Sequence, residues 1–116
     1  MAYQSPLRSP ELDRLFEAVL SLRDQEECYR FFADLCTVGE LRAMGQRLRV
    51  AELLADGLTY EEIERRTGMS PATIARVNRF LQYGNDGYRR VIARLRAGRV
   101  RDGDADDGPR DDRGEG

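Results

Sequence analysis

Several residue types that proteins commonly use for chemistry are absent from this chain of 116 residues. It contains no histidine, lysine or tryptophan and only two cysteines, Cys28 and Cys36. Without histidine, neither a Ser-His nor a Cys-His catalytic pair can form, so an enzyme would depend on carboxylates, tyrosine and arginine. Two thiols without a histidine do not complete a zinc site. We therefore expect no metal, no cofactor and no enzymatic activity.

Long apolar runs are also missing. No stretch approaches the roughly 18 consecutive apolar residues of a membrane-spanning helix, and the N-terminus lacks the basic-then-apolar order of a signal peptide. We therefore expect a cytoplasmic protein with no membrane partner. The apolar content of 41% is enough for one domain, which we place in residues 1–98. The composition of residues 99–116, mainly Gly, Asp and Arg, predicts a disordered acidic tail.

The net charge of −2 hides an uneven distribution of charge along the chain. Residues 1–64 carry 7 arginines against 13 acidic residues, for a charge of −6. Residues 65–101 carry 10 arginines against one aspartate, for a charge of +9, and residues 102–116 have a charge of −5. A basic block inside an acidic protein suggests an anionic partner.

Helical periodicity dominates the first half of the chain, and no segment alternates as a strand would. Ser9 and Pro10 are typical of the start of a helix, Asp24 is typical of the start of a second, and a third is expected over about residues 39–56. The first helix has an apolar stripe, which comprises Leu12, Leu15, Phe16, Val19 and Leu22. The second has residues expected to face the core, which are Cys28, Phe31, Phe32 and Leu35, and Cys36 is expected in the core as well.

Shorter helices follow. Thr59 and Glu62 predict a capping box at the start of a helix of about eight residues, Gly68 predicts a tight turn, and Ser70 precedes a helix expected over about residues 71–82. A last helix is expected over residues 88–97, with four outward arginines, Arg89, Arg90, Arg94 and Arg96. All six predicted elements are helices, so the predicted class is all-α.

The segment 59–81 has the layout of a helix-turn-helix, in which two short helices are joined by a three-residue turn that contains glycine. At about 100° per residue, the apolar residues of the second helix share one arc. These are Ile74, Val77 and Leu81, and together with Ile63 and Met69 they fall where the two helices would meet. The opposite arc carries Ala72, Arg76, Arg79 and Tyr83.

An outward face that is small at its start and cationic further along suits the major groove of DNA. Ala72 allows a close approach, and Arg76 or Arg79 can reach guanine edges or phosphates. The free N–H groups at the start of this helix favour a phosphate, and the arginines of the preceding helix are candidates for backbone contacts. The predicted DNA-binding residues are Arg65, Arg66, Ser70, Pro71, Ala72, Thr73, Arg76 and Arg79.

Two parts of the chain are similar to a known family. The run 38–54 and the unit 59–81, with Ala72-Thr73-Ile74-Ala75-Arg76, resemble the Trp repressor superfamily, and most closely its YerC/YecD (TrpR-like) group. The segment 83–88 resembles that group as well, and the likeness covers roughly residues 3–97. The resemblance implies a six-helix, intertwined homodimer. Its two helix-turn-helix units would read successive major grooves of double-stranded DNA, with half-sites about 34 Å apart.

The resemblance also implies a position for a ligand pocket. Arg49 and Arg76 match the two arginines that hold the indole ring in the tryptophan repressor, and Thr37 matches a polar position of its pocket. Val77 and Phe80 stand where the repressor has glycine and serine, and their added apolar volume would fill the pocket. We therefore expect no small-molecule corepressor.

The expected function is that of a sequence-specific DNA-binding transcriptional regulator, a repressor that acts as a homodimer. Two alternatives stay open. A helical dimerisation or protein-interaction module would use the acidic residues Glu61, Glu62 and Glu64 as its recognition surface. A ligand-responsive regulator would bind an aromatic amino acid between Arg49 and Arg76.

Overall fold

The computed structural model describes residues 3–103 and the side chains of residues 3–98. Six helices and no strand occur in this range, which confirms the predicted all-α class. They are α1 (Pro10–Leu20), α2 (Gln25–Leu35), α3 (Val38–Ala55), α4 (Tyr60–Thr67), α5 (Pro71–Tyr83) and α6 (Gly87–Gly103). None of the helices between residues 3 and 103 is both long and apolar enough to cross a membrane. The chain forms two compact units, which divide after Leu41, within α3.

Side-chain caps fix where the helices begin. The Ser9 hydroxyl accepts a hydrogen bond from the backbone N–H of Leu12 at 3.1 Å, and Pro10 follows at the first helical position. The Asp24 carboxylate accepts from the N–H of Glu27 at 2.9 Å. The Glu27 carboxylate does not complete a capping box, because it accepts from the N–H of Arg23 at 2.8 Å instead. The predicted starts of α1 and α2 are confirmed.

A capping box that the sequence analysis missed begins α3. The Thr37 hydroxyl accepts from the N–H of Glu40 at 3.1 Å, and the Glu40 carboxylate accepts from the N–H of Thr37 at 2.8 Å. These bonds satisfy two backbone donors that a helix start otherwise leaves unpaired. Thr37, predicted as a pocket residue, therefore serves as a helix cap.

The last helix is longer than predicted. It begins at Gly87 and continues to Gly103, whereas the sequence analysis ended it at residue 97 and began the tail at residue 99. A single glycine such as Gly98 weakens a helix without ending it, and the surrounding arginines are good helix formers. The rest of the predicted tail, residues 104–116, lies outside the described residues.

The hydrophobic core lies in the second unit, where α3, α4, α5 and α6 meet. Its buried side chains are Val50, Ala51, Ile63, Ile74, Val77, Leu81 and Ile92. Partly buried residues pack around them, namely Leu48, Leu53, Leu54, Leu58, Met69 and Tyr88. The predicted seam between the two short helices is confirmed, since Ile63, Ile74 and Val77 are almost fully buried.

The first unit has no such core. Neither α1 nor α2 contains a buried residue, and on α1 Phe16 is 56% exposed and Leu20 is 83% exposed. The prediction that Cys28, Cys36 and Leu35 lie in a core is wrong for the single chain, because the cysteines are half-buried and Leu35 is 49% exposed. Two helices of eleven residues each offer too little surface to bury both apolar stripes.

Candidate nucleic-acid interface

The start of α4 is fixed by the predicted capping box. The Glu62 carboxylate accepts from the N–H of Thr59 at 2.8 Å, and the Thr59 hydroxyl accepts from the N–H of Glu62 at 3.2 Å. The Glu62 carboxylate also accepts a hydrogen bond from the Thr59 hydroxyl at 3.2 Å. The backbone N–H and the hydroxyl of Thr59, which both donate to this carboxylate, lower the pKa of Glu62; desolvation partly opposes them, and the positive charges of Arg65 and Arg66 lower it slightly further. Glu62 is therefore held ionised within the box.

The turn between α4 and α5 is fixed on both sides. Gly68 has φ +74°, a left-handed conformation that suits glycine, and its N–H donates to the carbonyl of Glu64 at 2.8 Å. The Thr67 hydroxyl donates to the carbonyl of Ile63 at 2.8 Å and accepts from the N–H of Met69 at 3.1 Å. These contacts fix the backbone of the turn and so set the direction in which α5 leaves α4.

The start of α5 confirms the predicted cap at Ser70, with Pro71 at the first helical position. The Ser70 hydroxyl accepts from the N–H of Thr73 at 3.2 Å and donates to the Thr73 hydroxyl at 3.0 Å. Ser70 is exposed and Thr73 is half-buried. The hydroxyls of Ser70 and Thr73 therefore already form hydrogen bonds within the cap.

The two sides of α5 differ sharply. Ile74, Val77 and Leu81 are buried against the core, whereas the opposite side carries exposed residues. These are Pro71, Ala72, Arg76, Arg79 and Tyr83, and the Tyr83 side chain is 87% exposed. We call Ala72, Arg76, Arg79 and Tyr83 the outward ridge of α5. Its residues lie where the sequence pattern placed them.

The arginines near this ridge are available to an external anion. Arg65, Arg66 and Arg76 are exposed, and no carboxylate in residues 3–98 lies within ion-pair distance of any of them. The guanidinium of Arg79 lies 5.7 Å from the centre of the Phe80 ring, at the outer range of a cation–π contact. The surface therefore presents guanidinium groups without local neutralisation by an ion pair.

Comparison with known proteins agrees with this geometry. A sequence profile of the family described as Trp repressor protein matches residues 10–96, which is most of the chain. The chain belongs to the Trp repressor family. This family is one of DNA-binding regulators and not of enzymes.

Individual relatives of this Trp repressor family member are similar over most of their length. The chain is 56% identical over 90 residues to protein YerC of Bacillus subtilis (strain 168), which covers 78% of this chain and 86% of YerC. The fold is similar to a crystal structure of a TrpR-like protein from Eubacterium eligens, with a TM-score of 0.74 and 50% identity over 77% of this chain and 92% of that one. A candidate Trp repressor from Staphylococcus aureus gives a TM-score of 0.74 and 51% identity, over 78% of this chain and 90% of that one.

The residues that the resemblance assigns to a tryptophan pocket lie in three different surroundings in the described part of the chain. Thr37 caps α3, and Arg49 lines an open depression between α3 and α6 together with Arg94 and Arg96. Phe80 forms one wall of an apolar groove of about 420 Å³, lined by Leu48, Phe80, Asn85, Gly87, Tyr88 and Val91. Arg76 lies on the outward ridge. That these residues bind no small-molecule corepressor stays a prediction.

The sequence analysis missed the contacts that end α5. Arg89 is exposed, as expected, but its Nε also donates to the carbonyl of Leu81 at 2.9 Å, which was not expected. Gly84 follows α5 at a position where an added Cβ would collide with the backbone carbonyl of Phe80. Neither contact is visible as a motif, although a cation after a helix end is a weak signal that could have drawn attention to Arg89.

Proposed function

We propose that this protein is a sequence-specific transcriptional regulator, a repressor that acts by occupying a promoter, and that α4 and α5 are its helix-turn-helix. The observation that carries the proposal is the outward ridge of α5. Arg76 and Arg79 are exposed on the side opposite the buried seam, and Ala72 at the start of the helix leaves room for a close approach. A helix presented in this way fits the major groove.

The proposed contacts fall into two kinds. Arg76 and Arg79, which are exposed, would form hydrogen bonds with base edges and so specify sequence. Arg65 and Arg66, in the last turn of α4, would bind phosphates, and the positive end of the helix dipole at the start of α5 would add to that attraction. Phosphate contacts give most of the affinity, so log K should fall by about 0.9 for each neutralised phosphate as log salt concentration rises.

The acidic alternative surface has less support. Glu61 and Glu64 are exposed, but Glu62 is committed to the capping box with Thr59. Only two of the three carboxylates are therefore free to recognise a protein partner. The arginines of the same helix also oppose an acidic recognition surface, since Arg65 is adjacent to Glu64 in sequence and Arg66 follows it.

The homodimer belongs to the same proposal. The apolar stripes of α1 and α2 have no buried residue, and large side chains such as Phe16 and Leu20 are exposed on α1. An exposed apolar surface of this kind marks an association site, and a second copy of the chain would cover both stripes symmetrically. Two outward ridges in one assembly would then bind half-sites one helical turn of DNA apart.

The test begins with selection of bound sequences from a random duplex pool by the purified full chain. Arg76→Ala and Arg79→Ala should each weaken binding to the selected duplex by about 1–3 kcal/mol, measured by fluorescence anisotropy, because each removes a base contact. Arg14→Ala is the matched control, since it removes an exposed arginine of α1 that pairs with Glu17. Equal affinity of all three variants for the selected duplex would reject the assignment.

A further inference from the structure

Arg89 joins the start of α6 to the end of α5. Its Nε donates to the carbonyl of Leu81 at 2.9 Å, and its Nη2 donates to the Gln82 side-chain carbonyl at 2.8 Å. The last four carbonyls of a helix have no partner within the helix, so the Leu81 carbonyl gains one from α6. A positive charge is also favoured at this end by the helix dipole.

Two further hydrogen bonds connect Gln82, through Asn78, to Tyr60 on α4. Gln82 donates from Nε2 to the Asn78 side-chain carbonyl at 3.3 Å, and Asn78 donates from Nδ2 to the hydroxyl of Tyr60 at 3.1 Å. Asn78 and Gln82 are four residues apart and so share one face of the helix. We call Tyr60, Asn78, Gln82 and Arg89 the polar strap, since these side chains link α4, α5 and α6.

The polar strap lies along one flank of α5. At about 100° per residue, Asn78 and Gln82 fall between the buried side and the outward ridge. The buried seam is apolar and non-directional, so it keeps one side of α5 against the core but fixes the rotation of the helix about its own axis less narrowly than hydrogen bonds do. Hydrogen bonds are directional and restrict that rotation. The strap therefore acts on the degree of freedom that aims the outward ridge.

We propose that the polar strap positions α5 for base recognition, so that it governs discrimination between DNA sequences more than affinity for DNA in general. This inference rests on the proposed DNA-binding function. Hydrogen bonds to base edges require narrow distances and angles, whereas flexible arginines reach phosphates from many helix orientations. A loosened α5 would then lose sequence preference and keep its attraction for the DNA backbone. Arg89, Asn78, Gln82 and Tyr60 are positioning residues in this scheme.

The test compares Arg89→Ala, Arg89→Lys and Tyr60→Phe with the wild-type full chain. The dissociation constants for the selected duplex and for a random duplex of equal length are measured at one salt concentration. Each strap variant should lower the ratio of random to selected dissociation constants by about threefold to tenfold, the effect of losing one or two hydrogen bonds. Affinity for the random duplex should stay within about twofold, since the phosphate contacts remain.

Arg89→Lys shows whether an effect of Arg89 comes from its positive charge or from its two hydrogen bonds. Lysine keeps the charge but lacks the fork that binds the Leu81 carbonyl and the Gln82 side chain together. It should therefore behave like Arg89→Ala. Tyr60→Phe removes only the hydroxyl that accepts from Asn78 at the other end of the polar strap, so it tests the strap with little effect on folding. Arg94→Ala removes an equal charge from α6 and should leave the ratio unchanged, because no ion pair or hydrogen bond of Arg94 occurs in residues 3–98.

A second measurement does not depend on DNA. Amide hydrogen exchange at the C-terminal end of α5, over residues 79–83, should become faster in Arg89→Ala and Tyr60→Phe and stay unchanged in Arg94→Ala. An unchanged ratio in both Arg89→Ala and Tyr60→Phe would overturn the proposal. A full recovery of the ratio by Arg89→Lys would overturn it as well, since it would show that the charge of Arg89, and not its two hydrogen bonds, sets the ratio. If the wild type shows no preference for any duplex, the proposed function fails, and the exchange measurement alone then decides whether the strap holds α5.

Discussion

The two units of this protein bury their apolar side chains to different extents. In the second unit, α3 to α6 enclose a core in which Ile63 and Ile74 are fully buried. In the first unit, α1 and α2 carry apolar stripes of similar regularity but have no buried residue, and Phe16 is more than half exposed. A periodic apolar stripe therefore predicts a helix in both units, but it does not show whether the chain itself covers that stripe.

The difference in burial indicates that the second unit carries the proposed DNA contact and that the first unit carries the proposed dimer contact. The second has a core of its own, and it carries both the outward ridge of α5 and the polar strap. The first lacks such a core, which fits our proposal that a second copy of the chain packs on α1 and α2. Three substitutions test this division, and they follow in order of expected effect.

Removing part of the core of the second unit should have the largest effect. Ile74→Ala deletes buried methyl groups between α4 and α5 and should lower the free energy of unfolding by about 2–5 kcal/mol. Urea denaturation at one fixed protein concentration measures the change, because dimer dissociation would otherwise shift the apparent stability. The control is Ala75→Ser on an exposed position of the same helix, which should change stability by less than about 0.5 kcal/mol. A loss below about 1 kcal/mol for Ile74→Ala would contradict the core described here.

A charge on the stripe of α1 should act on association. Phe16→Asp would bury a carboxylate in the proposed dimer interface, and we expect the dimer dissociation constant to rise by roughly 100-fold, equal to about 3 kcal/mol. Sedimentation equilibrium over a range of protein concentrations measures it. Glu17→Gln changes the adjacent, exposed residue and should leave the dimer intact. A dimer of unchanged affinity in Phe16→Asp would place the interface elsewhere, and a monomeric wild type would remove the dimer from the proposal.

The smallest effect concerns acid stability in the second unit. The folded state lowers the pKa of Glu62, chiefly through its hydrogen bonds with Thr59. Its ionised form therefore stabilises the fold at pH values above its ordinary pKa, and this contribution is lost as the pH falls through the lowered pKa. Glu62→Gln cannot titrate, so its stability should fall less than that of the wild type between about pH 5 and pH 3.

Thermal denaturation across this pH range, at one salt concentration, measures the effect. Glu61→Gln is the matched control, since it changes a neighbouring exposed glutamate that takes no part in the capping box. Parallel pH profiles of the wild type and Glu62→Gln would show that the capping box does not depend on ionisation of Glu62.

Local patterns predicted much of this molecule. Ser9, Asp24, Thr59 and Ser70 cap their helices as expected, because a cap depends on residues within three positions of one another. The same pattern at Thr37 and Glu40 was present in the sequence, but the sequence analysis did not identify it and assigned Thr37 to a pocket through resemblance. The outward ridge was also predictable, since helical periodicity places it opposite the buried seam.

The sequence by itself determined the helices, their caps, the glycine turn at Gly68 and the two sides of α5, because each follows from residue types at short, fixed spacings. Only the tertiary structure decided that Arg89 binds the end of α5, that Asn78 reaches Tyr60 and that Arg96 pairs with Asp56. Those contacts join residues between 7 and 40 positions apart. Their geometry depends on how the helices pack, and no local spacing in the sequence encodes that packing.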